Sequence, residues 1–200
     1  MKLIASIIVF FNFLTLNAQD KWTEESVEKF QKEINNEFAD KKESPLLEDD
    51  LKTFKGLDFY PINSKYAVQA KFVKSTNQSV FKMKTTGSAT PEYIKYGELI
   101  FTIDSKEYHL NIYQNLGLIK TPGYEDYLFL PFSDLTCGKT SYIGGRYIDM
   151  RIPTSDTVLI DFNKAYNPYC AYNYKYSCPI VPLENDLNVE ILAGVKKYHD

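Results

Sequence analysis

The chain has 200 residues, a formal net charge of −3, and an aromatic content of 15%. This mildly acidic balance lacks the basic face that nucleic-acid binding requires, so we expect no nucleic-acid partner. The length fits a single domain.

The first eighteen residues have the pattern of a secretory signal peptide. Lys2 provides a positive start, residues 3–16 are mostly apolar, and Ala18 is a small residue suited to cleavage. The apolar run is too short for a comfortable membrane span, and an uncleaved anchor is the alternative. We therefore expect an exported protein, periplasmic or secreted, whose mature chain begins near Gln19 and has no transmembrane segment.

Residues 19–56 are predicted to form a helical N-terminal part. Apolar residues recur at spacings of three and four over 22–42, which predicts a helix with one apolar face, capped by Thr23. The members of that face are Val27, Phe30, Ile34 and Phe38. A short second helix is predicted after Pro45, ending at Gly56.

Residues 57–200 are predicted to be rich in β-strands, because the apolar period changes to two. The predicted strands cover 66–72, 80–85, 97–103, 107–113, 128–131, 146–152, 158–162 and 187–192, with a hairpin loop at 104–106. The fold class is therefore mainly β (α+β): an antiparallel β-sandwich or barrel of about eight short strands, with one or two N-terminal helices packed on it. Residues 19–200 are expected to be one globular domain.

Charged residues gather at predicted strand ends: Asp134, Arg146, Asp149 and Asp161. Strand alternation places Arg146 and Ile148 on one face and Asp149 on the other. Arg146 is expected to meet Asp134 or Asp161, either as a structural ion pair or as the anchor of an anionic ligand, which a guanidinium can grip in two places. Gly144-Gly145 permits the tight turn that precedes this arginine.

Residues 161–185, which we call the tyrosine segment, cannot form a regular helix or strand. The segment has five tyrosines, of which Tyr166 is the first, and four asparagines, which include Asn163, Asn167 and Asn185. These side chains can satisfy an irregular backbone, or they can display binding groups. Cys170 and Cys178 are the expected disulfide partners, which leaves Cys137 unpaired.

Several phrases together resemble a family of uncharacterised prokaryotic proteins, the domain of unknown function family 1684. They are YGELIFTID (96–104), FLPFSDLT (129–136), GKTSYIGGRYIDM (138–150), DFNKAYNPYCAY (161–172), CPIVPLEN (178–185) and LNVEILAG (187–194). The motif cluster covers 129–194, and the departures from the family pattern are at Cys137 and Val195. The resemblance implies that the pair at Cys170 and Cys178 also occurs in members that look cytoplasmic, which leaves room for a ligand or metal role. It implies no activity.

The sequence leaves three interpretations of function open. The first is a pocket for a small polar or anionic ligand, built by Arg146, Asp161, Asn163, Asn167 and tyrosines. The second is a protein-interaction or envelope-structural module that uses the tyrosine segment. The third is a carboxylate-based hydrolase with Asp149 or Asp161 as acid or base. The candidate ligand-binding residues are Asp134, Arg146, Asp149, Asp161, Asn163, Tyr166, Asn167 and Asn185.

Other kinds of site are not expected, and whether the protein is an enzyme stays uncertain. His109 and His199 are the only histidines, which makes a serine–histidine–aspartate triad or a histidine zinc site improbable. The sequence has no P-loop or dinucleotide fingerprint, so no cofactor is predicted. The three candidate aspartates lack the spacing of a calcium loop, so no metal is predicted either.

Overall fold

A computed structural model of the protein describes residues 22–198. The predicted signal peptide and His199 lie outside these residues. The helices are α1 (Glu24–Ala39) and α2 (Glu48–Thr53), and the strands are β1 (Ala67–Lys74), β2 (Phe81–Lys82), β3 (Glu92–Ile103), β4 (Lys106–Asn115), β5 (Tyr127–Asp134), β6 (Arg146–Arg151), β7 (Thr157–Asp161) and β8 (Asp186–Leu187).

The strands form one curled sheet in the order β6-β5-β4-β3-β1-β7, with β2 beside β3 and β8 beside β5. All of these pairings are antiparallel except that between β5 and β8. The prediction of a mainly β fold with an N-terminal helix is therefore confirmed. Of the two predicted architectures, the single curled sheet corresponds to the barrel-like one rather than to two stacked sheets.

The longest strand pair begins from a two-residue turn where the hairpin loop was predicted. Asp104 and Ser105 both have positive φ angles, 49° and 63°, and Ile103 pairs with Lys106. Positive φ at both central positions matches the right-handed twist of the flanking strands. The predicted strands 80–85 and 187–192 shorten to two residues each, because the rest of each segment pairs through isolated bridges or loop contacts.

The main core lies on the inner face of the curl. Leu128, Leu130 and Phe132 of β5 belong to it, together with Ile148 and Met150 of β6. These positions alternate with a second set on the outer face of the same two strands, as the pleat of a strand requires. Phe129 and Tyr147 of that outer set belong to a separate cluster with Met83, Tyr93 and Tyr113.

Helix α1 and the tyrosine segment cover that outer face. Thr23 caps the helix by accepting a hydrogen bond from the Ser26 amide at 3.2 Å, as predicted. On the apolar side of the helix, the ring centroid of buried Phe38 lies 4.8 Å from that of Tyr172 in an edge-to-face contact. In the part of the chain that the structure describes, no helix has the length and apolar character needed to cross a bilayer.

Candidate functional site

Arg146 lies at the centre of a closed polar network on the inner face. Its side chain is 0% exposed, and its Nη2 donates to Asp134 Oδ2 at 2.6 Å and to the Ile191 carbonyl at 2.8 Å. Nη1 donates to the carbonyl of Ala193. Gly145, with a φ of +83°, provides the turn that leads into this position, and an added Cβ there would meet the Phe132 carbonyl oxygen at 2.6 Å. Of the two alternatives from the sequence, this geometry is the ion pair with Asp134.

The three candidate asparagines are also buried and fasten one part of the backbone to another. Asn185 accepts from the Asn111 amide at 2.8 Å and donates to the Asn111 and Pro131 carbonyls at 2.8 and 2.6 Å. Asn163 holds the backbone of Asn63 in the same way, accepting at 2.9 Å and donating at 3.0 Å. Asn167 donates to the Lys196 carbonyl at 2.8 Å. These amides replace the strand ladder that the irregular segments lack.

The predicted pocket of Arg146, Asp161, Asn163 and Asn167 is therefore not assembled as one site. Three of the eight candidate residues, Asp149, Asp161 and Tyr166, line a cavity instead. The other five, Asp134, Arg146, Asn163, Asn167 and Asn185, are buried in hydrogen-bond networks of the interior. The sequence predicted polar side chains in the right segments, but it did not predict which of them would be enclosed by the fold.

Two adjoining cavities lie beside α1: the larger is lined by residues of β6 and β7, and the smaller lies between the helix and the outer face of β5 and β6. Their volumes are about 800 Å³ and 510 Å³, and both are lined by Phe30, Asp149 and Tyr166. We call the two together the Asp149 cleft. The larger cavity extends past Asp161 and Lys164, and the smaller one extends along α1. Volumes of this size are typical of small-molecule sites.

Asp149 is exposed within the cleft and is held by two tyrosines. Tyr127 donates to its Oδ1 at 2.7 Å, and Tyr166 donates to the same oxygen at 2.5 Å. Among residues 22–198, no hydrogen-bond donor to Oδ2 is found, so half of the carboxylate has acceptor capacity to spare. The carboxylate is thus fixed in orientation while one oxygen stays free to bind a ligand.

Both tyrosines act as donors because they remain protonated at neutral pH. Burial, and then the negative charge of Asp149, raises the pKa of Tyr127 far above that of an ordinary tyrosine. The same two causes, in the same order, raise the pKa of Tyr166. A neutral hydroxyl beside a carboxylate can only donate to it, so both tyrosines act as donors to Asp149 at neutral pH.

The smaller cavity is acidic and aromatic. Carboxylates reach it from α1 at Glu33 and Glu37, opposite Asp149, and no lysine or arginine is among its described lining residues. Tyr169 donates its hydroxyl to Glu37, which links the tyrosine segment to the helix. Rings form much of the remaining wall: Phe30, Phe38, Tyr93, Tyr127, Phe129, Tyr147, Tyr166 and Tyr169. Negative charge beside the faces of aromatic rings favours a cation.

Asp161 lines the larger cavity and is only 7% exposed. Its Oδ1 accepts from the Asn163 backbone at 3.1 Å and from the Asn163 side chain at 2.8 Å. Its Oδ2 is buried without a hydrogen-bond partner and lies 3.9 Å from Lys164 Nζ. A buried acceptor of this kind is costly when it stays unpaired, so it is a second position where a ligand donor would be stabilised.

The expected disulfide is not formed in the structure, because Cys170 and Cys178 are both free thiols, as is Cys137. Most of the tyrosine segment nevertheless packs inward. Tyr172 is buried, whereas Tyr174, at 90% exposure, is the only one of the five tyrosines that is fully exposed. Within residues 22–198 there is no group of three or more histidine, cysteine or carboxylate side chains placed to hold a metal ion.

Reasoning from the sequence missed several cleft residues, above all Tyr127 and the acidic side of α1. One signal could have identified them. Tyr127 and Phe129 alternate with Leu128 and Leu130, so β5 is apolar on both faces, which indicates a strand covered on both sides. The apolar face of α1 could have been predicted to pack on the outer face of β5. The position at which the helix docks, however, depends on contacts between residues that are distant in sequence.

The comparisons with known proteins agree with the resemblance noted in the sequence. A family model described as "Protein of unknown function (DUF1684)" matches residues 52–196. No curated protein matches the chain. The solution NMR structure of an uncharacterised protein from Haloarcula marismortui is similar, with 28% sequence identity and a TM-score of 0.68. The likeness covers 86% of this chain and 93% of that one.

Proposed function

Because this chain belongs to the DUF1684 family, whose function is unknown, we propose its function from the geometry of the Asp149 cleft: it binds a small organic cation. The observation that supports this most directly is the Asp149 carboxylate, fixed by two tyrosine hydroxyls and open at Oδ2. The sequence had suggested an anionic ligand at Arg146, but Arg146 is buried. The ligand proposed for the Asp149 cleft is a cation instead.

The charge of the smaller cavity supports a cationic ligand over an anionic one. Glu33, Glu37 and Asp149 line it without a basic residue among the described lining. A carboxylate-bearing ligand would meet like charge there and would have to give up its hydration for no compensating donor. An ammonium group gains both a charge-assisted hydrogen bond to Oδ2 and contact with aromatic faces.

The shape of the site supports a small ligand rather than a macromolecule. The smaller cavity measures about 510 Å³ and is bounded by α1 on one side and by Phe129 and Tyr147 of the sheet on the other. The ring centroids of Phe129 and Tyr147 lie 4.7 Å apart in an edge-to-face contact that fixes this wall. Pre-formed walls reduce the ordering cost of binding.

A thermal-shift screen tests the proposal. The probes are choline, tetramethylammonium, arginine and spermidine, beside neutral sugars and dicarboxylates. A ligand at a hundred times its dissociation constant stabilises by about 2.7 kcal/mol, which corresponds to a rise of roughly 5–10 °C for a domain of this size. We expect an ammonium compound to raise the melting temperature, and dicarboxylates to leave it unchanged.

The matched control compares two aspartates that differ in their surroundings. Asp149→Asn keeps an acceptor for both tyrosines but removes the charge. Asp104→Asn removes the same charge from an exposed turn, where Asp104 pairs with Lys65 at 2.7 Å, and asparagine tolerates its positive φ. The shift should persist in Asp104→Asn and disappear in Asp149→Asn. A shift retained by both variants, or caused by dicarboxylates alone, would refute the proposal.

One observation favours a second function, that of a carboxylate-based hydrolase. Asp149 and Asp161 line the same 800 Å³ cavity, as a pair of acid and base would. If this is the activity, a panel of chromogenic glycosides should include one that the wild type hydrolyses and that Asp161→Asn does not. Turnover that both variants Asp149→Asn and Asp161→Asn retain would exclude it.

We also propose that the protein is exported, from the pattern of residues 1–18 alone. The support is the lysine, the apolar run and the small residue at 18. Mass spectrometry of the protein recovered from its native cells tests this. A mature N-terminus near Gln19 is expected, and a full-length N-terminus would contradict the proposal.

A further inference from the structure

Two thiols from opposite ends of one loop meet beside the Asp149 cleft. Cys170 belongs to the short 3₁₀ turn Tyr169–Ala171, and Cys178 is followed by an isolated bridge between Pro179 and Thr85. The Cys170 amide donates to Cys178 Sγ at 3.2 Å, so the Cys178 sulfur lies against the backbone that carries Cys170. The loop between them therefore already holds the two sulfurs as neighbours.

The surroundings of the pair stabilise negative charge on one sulfur. The Tyr142 hydroxyl lies 3.8 Å from Cys170 Sγ. Thr86 holds the partner thiol in place, because its amide donates to the Cys178 carbonyl at 2.9 Å and its Oγ1 accepts from the Cys178 amide at 3.0 Å. Donors around a sulfur are what lower the pKa of a reactive cysteine.

The two thiols differ in both acidity and exposure. The neighbouring Cys178 thiol is the largest cause that lowers the pKa of Cys170, which falls to about 6. The neighbouring Cys170 thiol, followed by burial, raises the pKa of Cys178. Cys170 is half-buried, whereas Cys178 is 8% exposed. A reagent from solvent would thus meet a thiolate at Cys170 first, with a protonated thiol behind it.

We propose that Cys170 and Cys178 form a reversible two-electron thiol–disulfide site, in which Cys170 is oxidised first and Cys178 resolves it. The oxidant is hydrogen peroxide. In the first step the Cys170 sulfur attacks an oxygen, so that an S–O bond forms and the O–O bond breaks. The leaving hydroxide takes a proton from solvent, and Cys170 becomes a sulfenic acid.

In the second step Cys178 loses its proton and its sulfur attacks the Cys170 sulfur. The S–S bond forms, the S–O bond breaks, and the departing oxygen leaves as water with that proton. Two thiol sulfurs have then given two electrons to one peroxide, and two waters have formed. Thiol reductants reverse the reaction by thiol–disulfide exchange.

Peptide mapping after one equivalent of hydrogen peroxide tests the product. The full chain is used as wild type, Cys137→Ser and Cys178→Ala. Cys137 lies apart from the pair, where its sulfur accepts from the Asp134 amide at 3.4 Å, so Cys137→Ser is the matched control. Wild type and Cys137→Ser should give a peptide linking Cys170 to Cys178. Cys178→Ala should give a sulfenic acid at Cys170 that dimedone traps.

The pH dependence of Cys170 alkylation provides a second readout that a passive buried thiol would not show. The rate should be half-maximal near pH 6 in the wild type and should move toward the ordinary thiol value of about 8.5 in Cys178→Ala. At pH 6 the wild-type thiol should react with a small disulfide roughly tenfold faster than an ordinary thiol, after allowance for its lower nucleophilicity.

Three outcomes would overturn the proposal. They are a disulfide through Cys137 or between molecules, an alkylation midpoint near 8.5 in the wild type, and a midpoint that is the same in Cys178→Ala. The test does not involve the cationic ligand, so its failure leaves the proposed binding function standing.

Discussion

Strand β6 carries Arg146 on its inner face and Asp149 on its outer face, and these two charged residues have opposite surroundings. Arg146 faces inward, is fully buried, and donates to Asp134 and to two backbone carbonyls. Asp149 faces outward into a cleft, accepts from two tyrosines at one oxygen, and has no described donor at the other. Arg146 and Asp149 are only three residues apart, yet they differ in the sign of their charge and in the side of the sheet that they face.

Because their surroundings differ, Arg146 and Asp149 have different roles, one in stability and the other in function. A buried charge that is paired with a carboxylate and with backbone carbonyls holds the fold together, and removing its partner leaves an uncompensated charge. A carboxylate that is oriented but only half satisfied contributes little to folding and can interact with a ligand. Arg146 is therefore a structural residue, and Asp149 is where we expect binding.

The largest expected effect is that of Arg146→Met. The substitution leaves Asp134 charged, buried and unpaired, and breaking a buried ion pair in this way costs about 3–5 kcal/mol. Urea unfolding of the purified protein would measure the loss as a lower transition midpoint.

The control for this change is the only other arginine, Arg151. It pairs with Asp126 at 2.6 Å, but both side chains are more than half exposed, so Arg151→Met should cost at most about 1 kcal/mol. Equal losses in the two variants would show that the Arg146 network is not the stabilising element described above.

The next largest effect is expected for Asn185→Ala. It removes three hydrogen bonds and leaves the Asn111 amide and two carbonyls buried without partners. Unpaired buried groups cost about 1–3 kcal/mol each, and local relaxation should limit the sum to about 3 kcal/mol. Chemical denaturation measures the stability loss of Asn185→Ala, with Asn77→Ala, a substitution of an exposed asparagine, as the control. A loss below that of Asn77→Ala would contradict the structural role.

Much of this contrast between the inner and outer faces could be predicted from sequence. The part that could not be predicted depends on the tertiary fold. A period of two predicted that Arg146 and Asp149 would face opposite sides of β6, and it narrowed the partner of Arg146 to Asp134 or Asp161. The choice between them required the tertiary fold, in which Asp161 is occupied by Asn163. The cleft itself depends on how α1 docks, and that is set by contacts such as Phe38 on Tyr172 rather than by local pattern.

Alkaline pH should lower the free energy of unfolding through two tyrosines of the outer face. Tyr127 and Tyr166 have raised pKa values in the folded state, so their contribution is fully present below the unfolded value of about 10 and is lost as pH rises above it. At pH 11 each tyrosine that stays neutral when folded lowers stability by about 1.4 kcal/mol relative to neutral pH. Unfolding free energies measured from pH 9 to 11 should therefore fall steadily.

The variants for this test differ in burial. Tyr166→Phe should flatten the decline with pH, because one of the contributing hydroxyls is gone. Tyr174→Phe, at a residue that is 90% exposed, should leave the decline unchanged. If both variants retain the wild-type slope, the raised pKa of Tyr166 does not govern alkaline stability.

The smallest effect on stability is expected for Asp149→Asn, at about 1 kcal/mol or less. The amide oxygen still accepts from Tyr127 and Tyr166, and the side chain is exposed, so little burial energy is at stake. Urea unfolding of Asp149→Asn and Arg146→Met in parallel would measure the smallest and the largest of the expected stability losses. A loss as large as that of Arg146→Met would make Asp149 a structural residue too.

The measurement that tests the central claim most directly is a heteronuclear NMR titration of the protein with choline. We expect amide signals to shift at the outer face, around Asp149, Tyr166 and the α1 residues from Phe30 to Phe38, while those of Asp134, Arg146 and Ala193 stay in place. Shifts that centre on Arg146 and Asp134, with none around Asp149, would contradict it, because they would place the ligand in the network that we describe as closed.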